Sequence, residues 1–125
     1  MSEEETVFDR VGGTQWFVDL VERFYDGVAT DPVLAPLYPE DLTESRALLA
    51  GFLVQYWGGP ADYSAARGHP RLRMRHAPFV IGAPQRDAWL AHMLAALRAA
   101  ALPPELEAQM AGYFESAAAH LTNAP

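Results

Sequence analysis

Residues 14–28 read Thr14-Gln-Trp-Phe-Val-Asp-Leu-Val-Glu-Arg-Phe-Tyr-Asp-Gly-Val28. The large apolar side chains recur at i, i+1, i+4, i+5, i+8, i+9 and i+12, which is the spacing of one broad stripe along an α-helix. Strict alternation of apolar and polar residues, the pattern of a half-buried strand, occurs neither here nor elsewhere in the chain. The stretch therefore predicts a helix with one buried face, formed by Trp16, Phe17, Leu20, Val21, Phe24, Tyr25 and Val28.

Further helices are expected on both sides of this one. Long stretches with the same periodicity cover about 43–57, 84–101 and 104–121. Shorter helical segments are predicted at 6–11, at 31–38 and at 62–67, and the residues suited to cap helix starts are Thr14, Thr43 and Asp62. We expect an all-α fold in one domain spanning 1–125, with residues 1–5 as a flexible charged tail.

Composition narrows the class of protein. The chain of 125 residues has a net charge of −7 and no cysteine, which excludes disulfides, thiolate catalysis and thiolate metal sites. Its acidic N-terminus lacks the features of a signal peptide, and no apolar run reaches the length of a membrane span. These features favour a soluble, cytoplasmic protein without a membrane span, and the acidic balance argues against nucleic acid as its partner.

One stretch departs from the acidic balance. It reads Arg67-Gly-His-Pro-Arg-Leu-Arg-Met-Arg-His-Ala-Pro-Phe79, and it holds four of the nine cationic residues, all nine of which are arginine. It lies between Gly58 and Ala83, in a part of the chain with little helical pattern, and long loops of this kind usually serve a function. Arginine and imidazole together suit an anionic ligand that also needs a nitrogen donor. Haem fits both needs, because its iron takes an axial imidazole and its two carboxylates pair with arginine.

His76 is the candidate iron ligand in this stretch. If residues 70–76 are helical, Leu72 lies one turn back on the same face and can pack under a flat porphyrin, while Phe79 supplies another apolar wall. Pro78 ends such a helix, which leaves carbonyls free to accept the second N–H of the imidazole. The alternative is an ordinary surface histidine. For the carboxylates, Arg75 is the preferred partner, with Tyr63 and His69 as further candidates.

The chain also resembles a known family, the group II truncated haemoglobins. The resemblance covers nearly the whole sequence and includes rare residues such as Trp57 and Trp89. The matching segments are Val11-Gly-Gly13, Arg23-Phe-Tyr25, Tyr38-Pro-Glu-Asp41, Gln55-Tyr-Trp-Gly-Gly-Pro60, Tyr63-Ser64, Arg67 to Phe79 and Arg86-Asp-Ala-Trp-Leu90. It implies a two-over-two helical sandwich around one b-type haem.

Residue by residue, the resemblance makes His76 the proximal iron ligand. It makes Tyr25, Tyr38 and Trp89 the polar residues on the distal side, where the gas binds, with Leu49 and Phe52 lining that side. Many globins carry a histidine where this chain has Ser45. The simpler reading is that the two tyrosines and Trp89 are core aromatics. The functional reading is that they donate hydrogen bonds to bound oxygen, whose negative charge such donors stabilise.

Strong hydrogen bonding to oxygen favours tight binding over delivery. The sequence therefore predicts a high-affinity globin for O2 and other small diatomic ligands, suited to oxygen and reactive oxygen or nitrogen chemistry. An alternative, which leaves open whether the protein is an enzyme, is a dedicated peroxidase or nitric-oxide dioxygenase with a separate reductase. A remote alternative is a haem-free helical module that binds phosphate or nucleic acid through its arginines.

Overall fold

A computed structural model describes residues 5–68 and 80–123. In those ranges it contains α-helices and one short 3-10 helix, and no strand. Nor does any helix there combine the length and the apolar character that crossing a membrane requires. The helices are α1 (Val7–Val11), α2 (Thr14–Val28), α3 (Thr43–Tyr56), α4 (Asp62–Arg67), α5 (Ala83–Ala99) and α6 (Pro104–Leu121), and the 3-10 helix is Ala35–Leu37.

The long helices form two packed pairs. Helix α2 packs against α3 and also against α5, and α5 packs against α6. The predicted stripe of α2 lies at the centre, because Phe17, Leu20, Phe24 and Val28 are fully buried. Burying each such side chain contributes about 1.5–3 kcal/mol. The all-α, two-over-two arrangement expected from the sequence is confirmed.

The first residues of the predicted helices differ from expectation. Thr14, Thr43 and Asp62 are not N-caps; each is the first residue of its helix, and the cap positions belong to Gly13, Leu42 and Ala61. At α3 the carboxylate of Asp41 accepts a hydrogen bond from the backbone N–H of Thr43 at 3.0 Å. The first N–H of α3 is thus satisfied by a side chain two residues earlier, and the hydroxyl of Thr43 does not cap the helix.

The short helix α1 is capped at its start and is bonded to the end of α3. Thr6 and Asp9 form a reciprocal capping box at the start of α1. The N–H of Phe8 donates to the carbonyl of Trp57 at 2.9 Å, which ties α1 to the end of α3. Gly58, at φ 105°, lies so close to Thr6 that a side chain there would collide with it. The end of α3 is therefore fixed, and with it the face of α3 that lines the site.

Candidate functional site

A cavity of about 610 Å³ opens between the two helix pairs. A volume of this size is ordinary for a small-molecule or cofactor site, and most of the exposed wall is apolar. Six residues that the sequence analysis singled out line it together: Tyr25, Tyr38, Leu49, Phe52, Tyr63 and Trp89. Ser45, which the resemblance aligns with the position where many globins carry histidine, lies on the same wall.

Two tyrosines from different elements meet at this cavity. Tyr25 belongs to the buried stripe of α2, and Tyr38 follows the 3-10 helix Ala35–Leu37. Their rings make an edge-to-face contact with centroids 5.5 Å apart. Burial raises the pKa of the Tyr25 phenol far above its ordinary value, and the neighbouring Tyr38 adds to the rise. Burial likewise raises the pKa of Tyr38. Both phenols therefore keep their protons at neutral pH and can donate hydrogen bonds.

Trp89 approaches the same tyrosines from α5. Its ring is held edge-on against Phe24 at 5.4 Å and tilted against Phe114 at 6.1 Å, measured between centroids. Hydrogen bonds to Tyr25 and Trp89 oppose the rise in the pKa of Tyr38, which is the effect of donors directed at the phenol oxygen. Both polar groups therefore lie near enough to the Tyr38 phenol to influence it, and of the two the indole N–H can only donate. The three side chains form one polar cluster in an apolar wall.

An arginine covers the outer side of Tyr25. The guanidinium carbon of Arg46 lies 5.8 Å from the centroid of the Tyr25 ring, within cation–π range. Arg46 also pairs with Glu22 at 2.7 Å and Asp26 at 3.7 Å, so it joins α3 to α2. Its charge lowers the pKa of Tyr25, but burial and Tyr38 act more strongly in the opposite direction.

A second pair connects the elements that carry Tyr38 and Trp89. Nε2 of His92, one turn after Trp89 on α5, lies 2.7 Å from a carboxylate oxygen of Asp31. The other oxygen of Asp31 accepts a hydrogen bond from the N–H of Val33 at 2.8 Å, in the loop that leads to Tyr38. On the far side of the imidazole, a β-carbon at Gly27 would collide with the His92 ring. Local sequence patterns do not reveal this pair, because its members lie 61 residues apart in the chain.

We expect Asp31→Asn to lower the melting temperature at neutral pH. The hydrogen bond from His92, and next the one from Val33, lower the pKa of the Asp31 carboxyl below its ordinary value of 3.8. A carboxylate with a lowered pKa stabilises the fold above that ordinary value, and the contribution is lost as the pH falls through the lowered one. Melting temperatures of the two proteins should therefore differ at pH 7, begin to approach each other near pH 3.8, and converge as the pH falls through the lowered pKa.

The matched control for this prediction removes the partner instead. His92→Gln should reproduce the neutral-pH loss, and the double variant should cost less than the sum of the two single changes, because the residues form one interaction. A difference between wild type and Asp31→Asn that is unchanged from pH 7 to pH 3 would contradict the ionic role of Asp31.

The cavity wall includes polar residues that the sequence analysis missed. Gln85 and Arg86 line it from the start of α5, and Tyr113 lines it from α6. Gln85 accepts a hydrogen bond from the N–H of Gly82, and Arg86 pairs with Asp87 at 3.0 Å. Arg86 lies three residues before Trp89, which is about one helical turn. This spacing puts the two side chains on the same face of α5, so the sequence could have indicated that Arg86 lies near the site.

Five of the residues named from the cationic stretch lie outside the described residues. They are His69, Leu72, Arg75, His76 and Phe79. Tyr63, the remaining candidate for a carboxylate contact, lies on α4 and lines the cavity. The proximal ligand and most of the carboxylate partners therefore stay predictions from the sequence.

Comparisons with known proteins agree with this geometry. The family model of the bacterial-like globins matches residues 6–123. The group 2 truncated hemoglobin YjbI of Bacillus subtilis is 41% identical over 111 residues, covering 89% of this chain and 84% of that protein. The crystal structure of a thermostable hemoglobin from Thermobifida fusca is 53% identical, with a TM-score of 0.94 over 97% of this chain and 99% of that one. The crystal structure of the group II truncated hemoglobin from Bacillus anthracis is 36% identical, with a TM-score of 0.95 over 99% of this chain and 95% of that one.

Proposed function

The chain belongs to the bacterial-like globin family, as a group II truncated haemoglobin. We propose that it binds haem and holds O2 tightly for reactive oxygen or nitrogen chemistry. Haem binding and the binding of O2 follow from the family. The finer claims are ours: His76 as the iron ligand, a distal cluster of Tyr25, Tyr38 and Trp89, and b-type haem. The observation that carries the proposal is the convergence of these three donors in one apolar cavity.

The cavity suits haem in size and in chemistry. Its volume of about 610 Å³ and its mainly apolar wall fit a large flat macrocycle. A porphyrin also carries two carboxylates that need cationic or hydroxyl partners. Arg86 is about one-third exposed and lies on the wall, where it can reach a carboxylate while remaining in contact with water. We add it to Arg75 and Tyr63 as a candidate partner.

We assign different roles to the two sides of the cavity. On the proximal side we assign the iron ligand to His76, with Leu72 and Phe79 packing under the macrocycle. On the distal side Leu49 and Phe52, both from α3, exclude water from the space beside Tyr25 and Tyr38. Ser45 cannot fill that space as an imidazole would, so the hydrogen-bond donors come from α2, from the 3-10 turn and from α5.

When bound, the haem iron supplies the coordination position for O2 and other diatomic ligands. We assign Tyr38 as the acceptor of hydrogen bonds from Tyr25 and from Trp89, an assignment supported by the directions in which these neighbours shift its pKa and that of Tyr25. Its own proton is then left to point at a ligand in the cavity. Two donors at its oxygen also make Tyr38 the stronger acid of the two phenols and the better donor. This arrangement stabilises negative charge at the ligand and slows its release.

A second candidate function has an observation of its own in its favour. Aromatic rings continue without a break from Trp89 through Phe114 and Tyr113 to the exposed Tyr56. Such a path suits a peroxidase, which needs electrons from outside. A nitric-oxide dioxygenase supplied by a separate reductase would use the same cavity. The haem-free module that binds phosphate or nucleic acid has no such observation to support it.

The test of the proposal is an absorption spectrum. Protein titrated with hemin should bind one equivalent, develop a Soret band, and shift it on reduction with dithionite and on addition of carbon monoxide. Apoprotein that stays colourless after gel filtration would overturn haem binding. Salt-dependent binding to RNA or DNA by such colourless protein would favour the haem-free module.

A further inference from the structure

Among the aromatic residues that the structure describes, Tyr56 is unusual because it is both stacked and exposed. Half of its surface is open to solvent, and it is the last residue of helix α3. Its ring stacks on Tyr113 with centroids 4.1 Å apart and planes 28° apart. Tyr113 in turn lines the cavity. One ring therefore separates the cavity from a phenol at the protein surface.

Resting on the proposed function, we infer that Tyr56 is a surface electron-entry site, at which a phenolic reductant delivers electrons that the stacked Tyr113 passes into the haem cavity. The contact between the two rings is close enough for direct orbital overlap. Neither ring is part of the distal cluster of Tyr25, Tyr38 and Trp89, so the entry site adds a role that ligand binding does not require.

Proton chemistry distinguishes Tyr56 from its neighbours. A phenol that loses an electron must also lose its proton, and the half-exposed Tyr56 can release that proton to water. Burial, with a smaller contribution from Tyr56, raises the pKa of Tyr113 to about 12, so Tyr113 holds its proton more firmly. Within the described residues, the indole nitrogen of Trp57 is buried and has no hydrogen-bond partner to take its proton. Oxidation therefore settles at Tyr56.

The reaction balances with hydrogen peroxide as the oxidant and a phenol as the reductant. Each turnover consumes one peroxide and two phenols and yields two waters and two phenoxyl radicals. For each electron, Tyr56 gives up an electron to Tyr113 and a proton to water, and becomes a neutral tyrosyl radical. The phenol then returns one hydrogen atom to Tyr56, which restores its hydroxyl group.

The experiment traps the radical on the haem-loaded protein. Protein with a verified Soret band is mixed with hydrogen peroxide and a nitroso spin trap, digested, and mapped by mass spectrometry. We expect the trap on Tyr56, and none on apoprotein treated in the same way. Tyr56→Phe keeps the stacked ring but removes the phenol, so the adduct should be lost from that peptide and the oxidation of added guaiacol should slow.

Tyr113→Phe is the second variant and tests the path. It keeps the packing against Tyr56 but removes the intermediate phenol, so the adduct on Tyr56 should decrease per haem bound, with the bound haem measured from the Soret band of the same sample. If the protein binds hemin but its adduct lies on Tyr63 or Trp57, or no adduct forms, the assignment of Tyr56 as the entry site is wrong, while the proposed haem binding stands. Protein that never acquires a Soret band overturns the proposed function as well.

Discussion

Replacing His76 with alanine is expected to abolish stable retention of haem. In the proposed arrangement the imidazole forms the only bond from protein to iron, and burial of the porphyrin supplies the rest of the affinity. Without that bond, hemin should pass to an acceptor such as apomyoglobin within the time in which the wild type keeps its cofactor. The measurement is the Soret absorbance after gel filtration and the rate of hemin transfer.

Added imidazole separates loss of the ligand from loss of the fold. In His76→Ala an added imidazole can replace the missing ligand and restore the wild-type spectrum. His120→Ala is the matched control, since His120 is an exposed residue in the last turn of α6 and should leave haem retention unchanged. An unaltered spectrum and hemin affinity in His76→Ala would remove His76 as the ligand and leave His69 as the remaining histidine of the cationic stretch.

Trp89→Phe is expected to accelerate release of O2 by roughly ten- to a hundredfold. In the proposed arrangement Trp89 orients and polarises the phenol of Tyr38, whose hydrogen bond to the charged ligand is worth about 1.5–3 kcal/mol, and the expected factor corresponds to loss of most of that bond. Phenylalanine keeps an aromatic ring between Phe24 and Phe114, so the packing changes little while the indole N–H is removed. Stopped-flow mixing of the O2-loaded protein with dithionite and carbon monoxide gives the rate directly.

Two companion variants make this result specific. Trp57→Phe removes an indole that does not line the cavity and should leave the rate unchanged. Tyr38→Phe should accelerate release as well, and because Trp89 donates to Tyr38, the double variant should fall short of the sum of the two effects. A rate unaffected by Trp89→Phe would show that the indole only packs, and additive effects would show that the two residues act separately.

The buried stripes were sufficient to predict the helices. In α2 every predicted apolar position except Trp16 is buried, because a period near 3.6 puts these residues on one side whatever the details of packing. Helix starts were predicted less well: Thr14 and Thr43 have the chemistry of caps, but Gly13 and the carboxylate of Asp41 decide where the helices begin.

The sequence predicted only part of the site, because local patterns show which residues share a helix face but not how the helices face one another. Tyr25, Tyr38 and Trp89 were named from the resemblance, and the structure brings them to one cavity. Arg86 and Tyr113 were missed because their facing depends on how α5 and α6 are rotated against the other pair, which no local pattern encodes. The bond between Asp31 and His92 joins residues too distant in sequence for local spacing to reveal. The roles of His76 and Arg75 remain predictions.

The contact of Gly27 with the imidazole of His92 has a consequence for how the protein can vary. The first carbon of any other side chain at position 27 would need space that His92 already occupies, and His92 is held in place by Asp31. A substitution there would separate the helices that carry Tyr25 and Trp89 without altering either residue. Individual donors in this protein can therefore be exchanged to retune affinity as long as position 27 keeps only a hydrogen atom, because that atom preserves the spacing of the two helices.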